Sequence, residues 1–175
     1  MNLKDLPLGE AAPERVNAIV EIPKGTRAKY EYDVTLGVFR LDRVLYASMF
    51  YPTAYGFLPS TLAEDGDPLD VLVLISEPLD VGVMLEAAPI GMLKMRDEKG
   101  ADDKVLAVAT HDRTYREVRE LEHVAEDELR LIEHFFRTYK TLEYKDVVSQ
   151  GWLGRSHAYA LIEASRQRYA ATPHS

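Results

Sequence analysis

A chain of 175 residues with 46% apolar content can bury a sizeable core, and residues 1–175 are expected to form one domain. The formal charge of -8 and pI near 5.1 argue against a basic face built for nucleic acid or an anionic membrane, so an anionic substrate would need a local concentration of cations. There is no cysteine, which excludes disulfides, thiolate metal sites and thiol nucleophiles and leaves oxygen and imidazole as ligands.

The opening stretch MNLKDLPLGEAAPERV carries acids and prolines where a secretory leader needs a basic start and an apolar run, so the expected compartment is the cytoplasm. Short segments rich in branched and aromatic residues then predict strands over Arg15–Ile22, Arg27–Asp33, Val38–Arg43, Val71–Ile75, Met84–Met95 and Val105–Ala109. Turn formers separate them, among them Pro23-Lys24-Gly25, Leu36-Gly37 and Asp65-Gly66-Asp67-Pro68. Together they predict a small, mostly antiparallel barrel.

In the last third the period changes. Leu129, Ile132, Phe136 and Tyr139 recur at helical spacing, which predicts an amphipathic helix over Glu126–Tyr139. A second helix is expected to begin near Ser156 as N-cap and to carry Ala158, Leu161, Ile162, Ser165 and Tyr169 on one face. The histidines, His111, His123, His134, His157 and His174, never fall four apart, so the helical zinc pair H-E-x-x-H is absent.

The densest chemical signal is Glu64-Asp65-Gly66-Asp67-Pro68-Leu69-Asp70, set directly against the apolar run Val71-Leu72-Val73-Leu74-Ile75. Gly66 permits a sharp turn and Pro68 stiffens it, so the carboxylates are held close together and repel unless a cation lies among them. Magnesium suits such a site, since it takes one or two carboxylates and keeps water and phosphate as further ligands. Alone, a D-x-D segment of this kind is more often an acidic surface turn. An EF-hand fits poorly, because the twelfth position from Asp65 is Ser76 and not glutamate.

A second acidic loop, Lys94 to Lys104, lies between two apolar strands and alone reads as a solvated hairpin tip. If a barrel brings both loops to one rim, Asp65, Asp67, Asp70, Asp97 and Asp102 share a cavity able to hold two or more metals, an arrangement used in phosphoryl hydrolysis. Candidate cations are Lys29, which shares a strand face with Glu31, together with Arg43 and Lys104. Tyr55 and the pair Tyr139-Lys140 could also reach a phosphate, although core packing is the simpler reading of their aromatic clusters. Neither G-x-x-x-x-G-K-[ST] nor G-x-G-x-x-G occurs, so phosphate would have to be held by side chains.

Asp65-Gly66-Asp67-Pro68-Leu69-Asp70-Val71 resembles the D-G-D-P-[LIVM]-D-[LIVM] signature of the soluble family I inorganic pyrophosphatases of bacterial type. The resemblance runs from about Val16 to Tyr169, through Val20-Glu21-Ile22-Pro23-Lys24-Gly25, Lys29-Tyr30-Glu31, Phe50-Tyr51-Pro52, Gly91-Met92-Leu93-Lys94-Met95 and Gly151-Trp152. It implies an α+β fold, mainly β, with a five-stranded OB-like barrel and flanking C-terminal helices, assembled as a homohexamer.

It also implies hydrolysis of pyrophosphate to two phosphates, with Asp67 as general base. Asp65, Asp70 and Asp102 are implied to bind the tightest metal, Asp97 and Glu31 to help hold others, and Glu21 to support them. Lys29, Arg43, Lys104, Tyr55, Tyr139 and Lys140 are implied to contact phosphate, and Tyr51 to line the pocket. Several magnesium ions per site are expected; manganese, zinc or cobalt could substitute, and calcium would inhibit. The family often carries a lysine-rich stretch before Gly-Trp, whereas Glu143 to Gln150 holds only Lys145, which predicts a less positive outer rim.

Two other readings stand beside this one. A metal-dependent phosphatase acting on nucleotides or other esters would use the same acids, and an OB-like barrel can serve as a binding module without activity.

Overall fold

The computed structural model describes residues 2–173, so His174 and the extreme ends of the expected 1–175 domain lie outside the described residues. In chain order the strands are β1 (Val16–Ile22), β2 (Ala28–Asp33), β3 (Val38–Val44), β4 (Ala54–Phe57), β5 (Asp70–Leu74), β6 (Met84–Asp97), β7 (Gly100–Ala101), β8 (Lys104–Ala109) and β9 (Val148–Gly154). The helices are α1 (Glu126–Thr138) and α2 (Arg155–Ala171).

Strands β1, β4, β5, β8 and β6 each pair with the next, and β6 pairs back to β1, closing a five-stranded barrel. Closure removes the sheet edges that an open sheet of this size would expose. The small β7 and the later β9 extend the long β6 beyond the ring, while β2 and β3 form a separate hairpin. Pairing is antiparallel except between β5 and β8, which run parallel with Asp70 opposite Lys104. These two strands are buried on both faces, which explains their unbroken apolar runs.

Two apolar clusters hold the helices to the sheet. In one, Leu72, Leu74, Leu106 and Val108 meet Ile132, Phe135 and Phe136 of α1; in the other, Val71, Val73, Val105 and Ala107 lie with Ala158 and Ile162 of α2. Alternate residues of β5 and β8 therefore serve different helices, as the two-residue strand period requires.

The fold follows the predicted order, but β2 and β3, expected as part of the barrel, pair only with each other and stand outside the ring, and three further differences appear. Ala54–Phe57 is a barrel strand, although its neighbourhood reads as an aromatic cluster, and Val148–Gly154 is a strand despite its two glycines. Helix α2 begins at Arg155 after Gly154, with no side-chain cap, so Ser156 lies inside the first turn and is not the N-cap. Ala158, Ile162 and Ser165 are buried on α2 as its predicted face requires.

Gly56 shows why β4 carries a glycine within the barrel wall. It pairs with Val20, and a Cβ placed there would overlap the Ile19 carbonyl, a backbone atom that cannot swing aside. Gly56→Ala is expected to cost about 3 kcal/mol by overpacking, read as a lower urea midpoint. An unchanged midpoint would mean that the β1–β4 contact relaxes freely.

Candidate active site

Parallel pairing of β5 with β8 decides where the acids go. Both strands begin at one rim, so the loops that precede them, one bearing Asp65 and Asp67 and the other Asp102, arrive side by side. Strand β6 runs antiparallel to β8 and ends at the same rim with Asp97. The first loop is stiff: Gly66 adopts φ 91, the Asp67 amide donates to Asp65 Oδ1 at 3.0 Å, and the Ala63 amide donates to the Asp67 carbonyl at 2.7 Å.

The result is a cavity of about 370 Å³ lined by seven carboxylates and five lysines. All five predicted aspartates line it, together with Glu21, Glu31, Lys29, Tyr55, Lys104, Tyr139 and Lys140. Arg43 lies just outside, in an adjoining cleft that shares Lys29, Glu31, Asp97 and Lys140 with the main cavity. Tyr51 is a correction: it is 2% exposed and packs behind the site against Tyr55, Phe135, Phe136 and Tyr139 instead of lining it.

Lysines pair with the carboxylates. Lys104 Nζ lies 2.8 Å from Asp70 Oδ2 and 2.9 Å from Asp102 Oδ1, with its ammonium 5.5 Å from the centres of the Tyr55 and Phe136 rings. Burial opposes this charge, yet Asp70 and Asp102 overcome it and hold the Lys104 pKa above the usual lysine range. Lys29 pairs with Glu31 and, at 3.1 Å, with Asp42; Lys140 approaches Asp97 at 3.9 Å.

Crowding and burial leave their mark on the remaining acids. Burial raises Glu21 to about 7, against the Tyr32 amide that donates to its Oε1 at 2.9 Å, and burial also raises Asp65. Burial raises both Tyr139 and Tyr55, so both phenols stay protonated donors, while the Lys140 pKa falls as its ammonium loses solvent.

Among the described residues no three carboxylate or imidazole side chains make a ready-built metal cage. The donor chemistry nevertheless fits hard cations: the candidate ligands are oxygen only, and carboxylates outnumber lysines.

Several lining residues escaped the sequence reading. Lys4 reaches Asp67 at 3.5 Å, and Lys99 joins the rim from the tip of the second loop. Asp42 and Glu143 both engage Arg43; its Nε lies 2.7 Å from Glu143 Oε1, an ion-pair contact without hydrogen-bond alignment. Asp42 is adjacent to Arg43 and could have been noticed, whereas nothing in local spacing points to Lys4 or Glu143.

The sequence model of the inorganic pyrophosphatase family matches residues 18–170. This chain belongs to that family. The inorganic pyrophosphatase of Thermus thermophilus is 48% identical over 171 residues, 96% of this chain and 98% of that protein. That of Methanosarcina mazei is 46% identical over 86% of this chain and 89% of its own length. The crystal structure of the Thermus thermophilus pyrophosphatase superposes with a TM-score of 0.96 over 98% of this chain and 100% of that one. A Helicobacter pylori inorganic pyrophosphatase, 36% identical, superposes with a TM-score of 0.91, covering 95% and 99%. The expected OB-like α+β fold of the pyrophosphatases is therefore the fold of this chain.

Proposed function

We propose that this pyrophosphatase-family chain hydrolyses inorganic pyrophosphate to two orthophosphates in the acidic rim cavity. The observation that carries the reading is the convergence of Asp65, Asp67, Asp70, Asp97 and Asp102 with lysines and phenols around one cavity. Asp65, Asp70 and Asp102 would hold the tightest cation, with Asp97 and Glu31 helping to hold others and Glu21 behind them. Magnesium, with manganese, zinc or cobalt as substitutes and calcium as an inhibitor, would supply Lewis-acid charge and a more acidic water at this site.

Asp67 is the general base. Its side chain is 74% exposed and lines the cavity, so it can accept a proton from the attacking water. Lys29, Arg43, Lys104 and Lys140 bind the phosphates, offering charges that pair with neighbouring carboxylates. Tyr55 and Tyr139 donate hydroxyl hydrogen bonds to phosphate oxygens. Charge placed in advance stabilises the leaving phosphate without reorganisation during the reaction.

We also propose a homo-oligomer, a hexamer by family resemblance. Support comes from the β2–β3 hairpin, on which Val38, Leu41 and Val44 are each exposed large apolar residues. The cytoplasm is the proposed compartment; among the described residues no helix is long and apolar enough to cross a membrane.

The test compares phosphate release from pyrophosphate, ATP and p-nitrophenyl phosphate with magnesium and with EDTA. Rapid release from pyrophosphate, abolished by EDTA, is expected. Faster turnover of ATP or of p-nitrophenyl phosphate would favour a general phosphatase and defeat the proposal.

A further inference from the structure

The N-terminal segment is fastened to the site from several directions. A single 3-10 turn at Leu3–Asp5 places Lys4 at the cavity wall, with its ammonium 3.5 Å from Asp67 Oδ1. The Leu3 amide donates to Tyr32 Oη at 3.1 Å, and Tyr169 Oη of α2 donates to Asp5 Oδ1 at 2.6 Å. Ser60 completes the fastening: its amide donates to the Lys4 carbonyl at 2.7 Å and its hydroxyl to the Leu6 carbonyl at 2.7 Å. Ser60 does so from φ 52, a left-handed conformation that a non-glycine residue adopts at a cost.

Such fastening exceeds what a loose terminal segment needs, since terminal residues are usually poorly ordered unless tied down. Its consequence is a lysine delivered to one carboxylate. An exposed ion pair ordinarily contributes little because two mobile side chains must be ordered. Here the backbone of Lys4 is already held, and its side chain is only 25% exposed, so much of that ordering has been met before the pair forms.

We propose that Lys4 is a positioning residue of the reaction, holding the Asp67 carboxylate toward the cavity so that it is aligned to take the proton of the attacking water. This rests on the assignment of Asp67 as general base. Lys4 acts on Asp67 and not on the substrate, so its removal affects turnover more than binding.

The experiment is a double-mutant cycle of Lys4→Met with Asp67→Asn, measured as kcat and KM for pyrophosphate at saturating magnesium, with Lys4→Arg beside it. Lys4→Met is expected to lower kcat about 3- to 10-fold, with KM within about two-fold and thermal stability unchanged. Lys4→Arg restores most of the loss, and in the Asp67→Asn background Lys4→Met costs less than about two-fold. Tyr169→Phe, which loosens the tether at Asp5, lowers kcat in the same direction. An equal loss in both backgrounds, or a raised KM at unchanged kcat, overturns the inference while leaving the pyrophosphatase reading intact. A folded wild type without pyrophosphate turnover defeats that reading and the inference together.

Discussion

Asp67→Asn is expected to lower pyrophosphate turnover by about 100-fold or more while leaving the fold and much of the magnesium binding in place. The structure explains why the two effects separate. Asp67 contributes to its loop through the backbone: its amide donates to Asp65 Oδ1 and its carbonyl accepts from the Ala63 amide, and both bonds survive the substitution. Its side chain is largely exposed, with Lys4 as its ion-pair partner. Asparagine keeps the shape but is a poor proton acceptor, so the loss falls on kcat. Turnover of Asp67→Asn near that of the wild type would remove Asp67 from the role of base.

Lys104→Met is expected to lower stability substantially, and the size should depend on magnesium. Lys104 is 4% exposed at its side chain and stands between Asp70 and Asp102. Removing one member of a buried pair leaves charge uncompensated, which typically costs 3–5 kcal/mol; about 3 is expected here in EDTA, because both aspartates keep some solvent contact. Magnesium should then stabilise the variant more than the wild type, since a cation that binds only the folded chain adds stability by mass action. The check is a pair of urea titrations for each protein, in EDTA and in magnesium. An identical loss in both conditions would show that Asp70 and Asp102 do not take up a cation when the lysine is gone.

Much of this architecture was legible because it is written in short-range pattern. The branched runs of β5 and β8, the helical spacing of Leu129, Ile132 and Phe136, and the stiff turn around Gly66 and Pro68 each depend on residues a few positions apart. Strand β4 was not legible. Its four residues include a glycine and sit beside Tyr51-Pro52, so local propensity is weak, and pairing with both β1 and β5 makes it a strand. The same holds for β9, where Gly151 and Gly154 interrupt any pattern and the long β6 supplies the partner.

The candidate site divides in the same way. Asp65, Asp67 and Asp70 are grouped by covalent spacing, and the sequence alone determines that three carboxylates crowd one turn before a buried strand. It also determines that no thiol chemistry is available and that oxygen ligands must carry any metal. Tertiary structure decides the rest. The parallel register that sets Asp70 opposite Lys104 brings the second acidic loop to the first and buries Lys104 between Asp70 and Asp102, while pairing of β4 with β1 and β5 sets Tyr55 at the cavity and Tyr51 lies in the core. Lys4 reaches Asp67 only because Tyr32, Ser60 and Tyr169 hold its turn from distant parts of the chain. The physical reason is one of range: turn stiffness and side-chain period are properties of neighbouring residues, whereas register and charge pairing depend on contacts between segments far apart in the chain.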